Sequence, residues 1–208
     1  MTTEQHNTAE HDAERHKEKM RRRKAVQDRE VAGKTTEKGL LLVNTGPGKG
    51  KSTAAFGLAL RMLGYDRRVV VVQFIKGAWH TGERRALERF GDLVEWHSMG
   101  EGFTWETQDR ARDVAACERA WAVARQALAR PDVALVVLDE LNVALRYEYL
   151  DIEQVLADIS ARPEGQHVVV TGRNVRQPML DAADLVTEMA LVKHHFKAGV
   201  KAQEGVEF

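Results

Sequence analysis

Leu40-Leu41-Leu42-Val43-Asn44-Thr45-Gly46-Pro47-Gly48-Lys49-Gly50-Lys51-Ser52-Thr53 is an apolar run that feeds a glycine-dense turn. Gly50-Lys51-Ser52-Thr53 then opens a helical pattern carried by Ala54, Ala55, Leu58, Ala59, Met62 and Leu63. The order strand, glycine loop, helix is that of a phosphate-binding loop. Glycines let consecutive backbone N–H groups turn inward, the helix N-terminus adds partial positive charge, Lys51 adds a full one, and Ser52 can ligate Mg²⁺. The expected occupant is a polyphosphate nucleotide. Only three residues separate Gly46 from Gly50 instead of the usual four, so the loop is one residue short or differently shaped.

Composition sets the scale. The 208 residues, 43% of them hydrophobic, suffice for one α/β domain with a sizeable core. Lys+Arg 31 against Asp+Glu 31 gives a net charge of +0, which asks for neither nucleic acid nor an anionic membrane as partner. No apolar run approaches a membrane span, and the N-terminal residues are too hydrophilic for a secretory signal. The single cysteine, Cys117, excludes an internal disulfide and suits a cytoplasmic location.

Outward from the loop, strands and helices alternate. Residues 1–38 form a polar arm with a basic cluster, Met20-Arg21-Arg22-Arg23-Lys24, and almost no large apolar side chains. Helix propensity is good from Glu10 to Glu30, so two readings stand open: a capping helix that orders against a partner or ligand, and a solvated arm. Residues 39–208 read as the phosphate-loop domain. Val69-Val70-Val71-Val72-Gln73-Phe74 is a strand buried on both faces, as in a parallel sheet. A short helix from Gly82, a strand over residues 93–97 and a loop with two aromatics, Phe103 and Trp105, follow. Val114, Cys117, Trp121, Ala124 and Leu128 mark one stripe of a long helix, where Cys117 is expected to be a core residue and not a nucleophile.

Ala134-Leu135-Val136-Val137-Leu138-Asp139-Glu140 is the second chemical motif, a buried strand that delivers two carboxylates at the sheet edge where ligands of parallel sheets lie. Glu140, or Asp139, is placed to hold Mg²⁺ with Ser52. His167-Val168-Val169-Val170-Thr171 brings Arg173 to the same edge, where it can meet a phosphate or pair with a surface acid. Residues 185–189 form a last strand, and the tail from Val192 is basic, glycine-punctuated and aromatic. Adjacent histidines do not share a face, which speaks against a metal site at His194 and His195.

Taken together, Thr45 to Gly57, Val71-Val72-Gln73-Phe74-Ile75-Lys76-Gly77, Gly102-Phe103-Thr104-Trp105-Glu106-Thr107, Val137-Leu138-Asp139-Glu140-Leu141, Thr171-Gly172-Arg173 and Gly199-Val200-Lys201-Ala202-Gln203-Glu204-Gly205 resemble the phosphate-loop type of ATP:corrinoid adenosyltransferase. The resemblance implies a RecA-like P-loop NTPase fold, α/β with a mostly parallel sheet flanked by helices. It implies transfer of the 5′-deoxyadenosyl group of ATP to Co(I) of a corrinoid such as cobalamin, with triphosphate as leaving group and ATP held end for end relative to other phosphate-loop enzymes. It further implies ATP contacts from Thr45, Gly46, Gly48, Lys49, Gly50, Lys51, Ser52, Thr53, Arg61 and Arg173, and Mg²⁺ or Mn²⁺ on Ser52 and Glu140, with Asp139 beside it. Phe103 and Trp105 would strip the lower ligand from Co(II), a reduced flavoprotein would deliver the electron, and the enzyme would be a homodimer whose N-terminal helix caps the corrinoid. Pro47 stands where the family often has asparagine, so one N–H is lost there. Two other readings are an ATP-hydrolysing RecA-like domain with Glu140 as base, and a nucleotide-dependent binding module.

Overall fold

The computed structural model describes residues 3–75, 81–99 and 109–207, with side chains from residue 12 onward. The chain divides into two compact units, Met1–Glu37 and Lys38–Phe208.

The first unit is one helix, α1 (Thr3–Ala32), charged on all sides. Its described side chains are exposed, and three ion pairs at helical spacing, Asp12–Arg15, Glu18–Arg22 and Lys24–Asp28, run along it. Such exposed pairs are worth only about 0.3–0.5 kcal/mol each.

The second unit is built on strands β1 (Leu41–Thr45), β2 (Arg68–Gln73), β3 (Val94–Ser98), β4 (Val133–Asp139), β5 (His167–Thr171) and β6 (Leu185–Glu188). The helices between them are α2 (Lys51–Leu63), α3 (Gly82–Leu87), α4 (Arg110–Leu128), α5 (Leu141–Arg146), α6 (Ile152–Ser160) and α7 (Gln177–Ala182). All six strands run parallel in the order β3-β2-β4-β5-β1-β6. The expected mostly parallel α/β sheet is therefore present, with every described strand pair parallel.

Alternation along the valine-rich strands sends side chains to two separate cores. Val70, Val72, Val136, Leu138, Val168 and Val170 pack beneath Cys117, Ala120, Trp121 and Ala124 of α4 and beneath α5 and α6. Val69, Val71, Leu135, Val137 and Val169 meet Ala55, Phe56, Ala59 and Leu63 of α2 on the opposite face. Full burial of each such side chain contributes about 1.5–3 kcal/mol, which is why β2, β4 and β5 carry almost unbroken apolar runs. Cys117 is 1% exposed, and burial, reinforced by Asp113 and Glu118, pushes its thiol up to about 12. That suits packing and not nucleophilic work. β6 is different: it is an edge strand whose four residues are all exposed.

Candidate nucleotide site at the carboxyl edge of the sheet

Among the described residues, the buried polar side chains are Asn44, Thr45, Lys51, Gln73, Asp139, Asn142, Thr171 and Gln166. All but Gln166 belong to the carboxyl edge of the sheet. Four of them close an apolar run: Asn44 and Thr171 stand opposite each other in the β1–β5 register, and Gln73 opposes Asp139 in the β2–β4 register. A polar group withdrawn from water costs about 1–3 kcal/mol unless bonded, so their concentration at one edge marks a built site.

The loop between β1 and α2 lies against the segment that follows β6. Met189 N–H donates to Thr45 O at 2.9 Å, and Gly48 N–H donates to Met189 O at 2.6 Å. Gly46 has φ 96°, and a Cβ there would stand 2.6 Å from Met189 O; a Cβ on Gly48 would stand 2.6 Å from both Met189 O and Ala190 O. Glycine is required at both positions, by conformation and clearance at Gly46 and by clearance alone at Gly48.

α2 begins at Lys51 with Gly50, φ 105°, as its N-cap. α3, α4 and α6 start with Thr81, Asp109 and Asp151, whose side chains accept from the first turn. Gly50 has no such side chain, so an anion can supply the missing acceptor. Lys51 is 7% exposed, and its Nζ folds back to donate to Gly46 O at 3.0 Å and to Gly48 O. Asn44 Nδ2 donates to Lys51 O at 3.2 Å and pins the start of the helix to the strand.

β4 ends at Asp139, which is 0% exposed. Gln73 Nε2 donates to its Oδ2 at 2.9 Å and Thr171 Oγ1 to its Oδ1 at 2.7 Å. Glu140 follows in the left-handed region, φ 63° and ψ 19°, as the N-cap of α5, and its N–H donates to Thr171 Oγ1 at 2.9 Å. A non-glycine residue held there stores about 1–3 kcal/mol of strain.

The expected site residues are thus distributed unequally. Thr45, Gly46, Gly48, Lys49, Gly50, Lys51, Ser52 and Thr53 form one continuous strand-loop-helix segment. β5 lies between β1 and β4, so Arg173, two residues past its end, shares their edge with Asp139 and Glu140. Arg61 does not join them: it is exposed in the last turn of α2, about 15 Å along the helix axis from Lys51. Phe103 and Trp105 lie outside the described residues.

Sequence reasoning passed over Asn44, Gln73 and Thr171. The available signal was a polar residue closing each buried apolar run. It also passed over the folding back of the tail onto the loop: Lys49 and His195 both pair with Glu207, His195 Nε2 at 3.0 Å from its Oε1. The imidazoles of His194 and His195 stack at 4.9 Å between centroids. Partial burial, then the charges of His195, Lys49, Lys197 and Arg173, hold His194 below the ordinary histidine range. Cations therefore gather beside the loop from both the tail and the end of β5.

Among the described residues no three His, Cys, Asp or Glu side chains converge as an all-protein metal cage. The hard oxygens of Ser52, Asp139 and Glu140 nonetheless fit Mg²⁺, which keeps waters and takes phosphate oxygens for most of its shell.

A parallel sheet with a glycine loop at a helix N-terminus, a buried loop lysine and acids at the neighbouring strand end defines a phosphate-loop nucleotide-binding protein. Residues 37–208 match the family model described as ATP:corrinoid adenosyltransferase BtuR/CobO/CobP, and residues 8–31 match one described as cob(I)alamin adenosyltransferase N terminal. A corrinoid adenosyltransferase of Pseudomonas aeruginosa is 62% identical over 94% of this chain and 96% of its own. One from Sinorhizobium sp is 52% identical over 96% and 94%, and the corrinoid adenosyltransferase CobA of Salmonella typhimurium 48% over 94% and 98%. The chain belongs to the ATP:corrinoid adenosyltransferase family and is an enzyme of that class. No described helix is long and apolar enough to cross a membrane.

Proposed function

We propose that this enzyme transfers the 5′-deoxyadenosyl group of ATP to cobalt(I) of a corrinoid by in-line displacement at C5′, with triphosphate as the leaving group. The observation that carries the reading is the buried Lys51 ammonium folded over the carbonyls of its own glycine loop, at the same carboxyl edge of the sheet as the acids that end β4. Co(I) brings the electron pair, the C5′–O bond breaks as the Co–C bond forms, and the pair from that bond leaves on the triphosphate. No general base is needed. Charge grows on the leaving group, so donors aimed at the triphosphate stabilise the transition state more than the ground state.

In this reading the backbone N–H groups of residues 49–53 and the Lys51 ammonium bind the phosphates, since Pro47 has no N–H and that of Gly48 is bonded to Met189 O, and Lys49 and Arg173 add positive charge at the rim. Ser52 and Glu140, with Asp139 behind, would hold Mg²⁺ or Mn²⁺, which supplies charge neutralisation at the phosphates. Phe103 and Trp105 would keep the lower face of the cobalt apolar, so that Co(II) loses its axial ligand and is reduced by a flavoprotein. A homodimer in which α1 caps the corrinoid of a neighbouring subunit completes the proposal, supported by the match of residues 8–31 to an N-terminal family model of their own.

Anaerobic incubation with chemically reduced cob(I)alamin and Mg-ATP tests the reaction. Light-sensitive adenosylcobalamin with an equal amount of triphosphate is the expected result. Orthophosphate released regardless of corrinoid, with no Co–C product, would make the protein an ATPase with Glu140 as its base.

A further inference from the structure

Asp139 and Glu140 are consecutive, yet they sit in different backbone regions, one closing a strand and the other in a left-handed turn. What holds them so is a chain of hydrogen bonds with one consistent direction. A threonine hydroxyl has a single proton, and an ionised carboxylate only accepts. Thr171 Oγ1 spends its proton on Asp139 Oδ1, 2.7 Å away, which leaves its lone pairs for the Glu140 N–H at 2.9 Å. On the other oxygen, Gln73 Nε2 donates to Asp139 Oδ2 at 2.9 Å. The amide of Gln73 is oriented in turn by two donors on its Oε1, Trp96 Nε1 at 3.1 Å and Ser98 Oγ at 2.8 Å. Gln73, Asp139 and Thr171 are 2%, 0% and 0% exposed, so water does not compete for these bonds.

We infer that Thr171 is a positioning residue for the metal-binding acids, holding the Asp139 carboxylate and the strained Glu140 backbone with one hydroxyl, and that Gln73 clamps the opposite carboxylate oxygen. This rests on the reading that Asp139 and Glu140 serve the nucleotide's metal ion. Without the Thr171 hydroxyl, Glu140 loses the acceptor that keeps its N–H satisfied at φ 63°, and its side chain swings with the backbone. The oxygen donors then no longer meet a small ion that tolerates little distortion.

The test compares ATP binding by calorimetry in excess Mg²⁺ and in EDTA, with thermal unfolding of the apoprotein alongside. Thr171→Val keeps shape and burial but removes both bonds. It should lose about ten- to a hundredfold in affinity with Mg²⁺, the scale of a hydrogen bond to a charged group, while binding in EDTA stays within about twofold. Thr171→Ser should restore the Mg²⁺-dependent increment. Gln73→Leu, which leaves Thr171 in place, should show the same metal-selective loss and decides the matter if Thr171→Val does not fold. Glu140→Gln separates the two levels. If it removes the Mg²⁺ increment while Thr171→Val and Gln73→Leu leave it intact, the positioning role is wrong and the metal reading stands. If Glu140→Gln itself leaves the increment intact, the metal reading falls and this inference with it. An equal loss in Mg²⁺ and EDTA for Thr171→Val, unrelieved by serine, would reduce Thr171 to a packing residue.

Discussion

Replacing Gly48 by alanine adds one methyl group where two backbone carbonyls already stand. The new Cβ would lie 2.6 Å from Met189 O and from Ala190 O, against 3.4 Å for the near end of ordinary contact, so loop and wall must separate by several tenths of an ångström. Neither oxygen belongs to a side chain that can rotate away. Overpacking of this kind costs about 1–3 kcal/mol, and the Gly48 N–H bond to Met189 O, 2.6 Å long, cannot survive the displacement, adding about 1 kcal/mol. The expected sum is about 2–4 kcal/mol, partitioned between a lower unfolding midpoint and an ATP affinity reduced about tenfold or more. Gly57→Ala is the matched control. A Cβ at Gly57 meets nothing within 4 Å on the exposed side of α2, so alanine should raise stability by up to about 1 kcal/mol through helix propensity. Urea unfolding and calorimetric titration with ATP read both variants. Wild-type stability and affinity in Gly48→Ala would refute the claim that the wall after β6 shapes the loop.

Lys51→Ala should lower turnover at least about a hundredfold, as for loss of one preorganised donor to a developing charge, and retained activity would remove the loop from the chemistry. Trp105→Ala should slow adenosylation that begins from Co(II) far more than adenosylation from chemically reduced Co(I); equal losses would argue against a role in reduction. Cys117, the sole cysteine, has its thiol raised from 9.0 to about 12, so at pH 8 the native thiolate fraction is about a thousandfold lower than in the unfolded chain. Native protein should therefore resist a disulfide reagent that labels it quickly in urea, and fast native labelling would contradict the packing around α4. Removal of residues 1–30 should weaken corrinoid binding while sparing ATP, and unchanged corrinoid affinity would leave α1 without its proposed task.

Much of this was legible because local chemistry and tertiary role coincide. Leu41 to Lys51 reads as strand, turn and helix from its own residues, and Val136 to Asp139 announces both burial and the edge at which it ends. What the sequence could not convey is adjacency. Alternation of strands and helices allows many sheet orders, and nothing in residues 185–190 says that they lie beside β1 and form the wall of the loop. Gln73 meets Asp139 across 66 positions and Thr171 across 32, distances at which periodicity is silent. The short helix α5 was hidden for another reason: its N-cap, Glu140, is a poor left-handed residue held there by a partner from another strand.

The contact between the glycine loop and Met189 also sets a timetable for synthesis. The loop leaves the ribosome early, whereas its wall follows roughly 140 residues later, about 7–28 s at ordinary elongation rates. Until then β1 lacks the neighbour on one side, and the loop lacks the Met189 N–H that donates to Thr45 O and the Met189 carbonyl that accepts from Gly48 N–H. Nascent chains arrested before residue 189 should pass through an ATP column that retains the finished protein, so nucleotide cannot act as an early folding template for this enzyme.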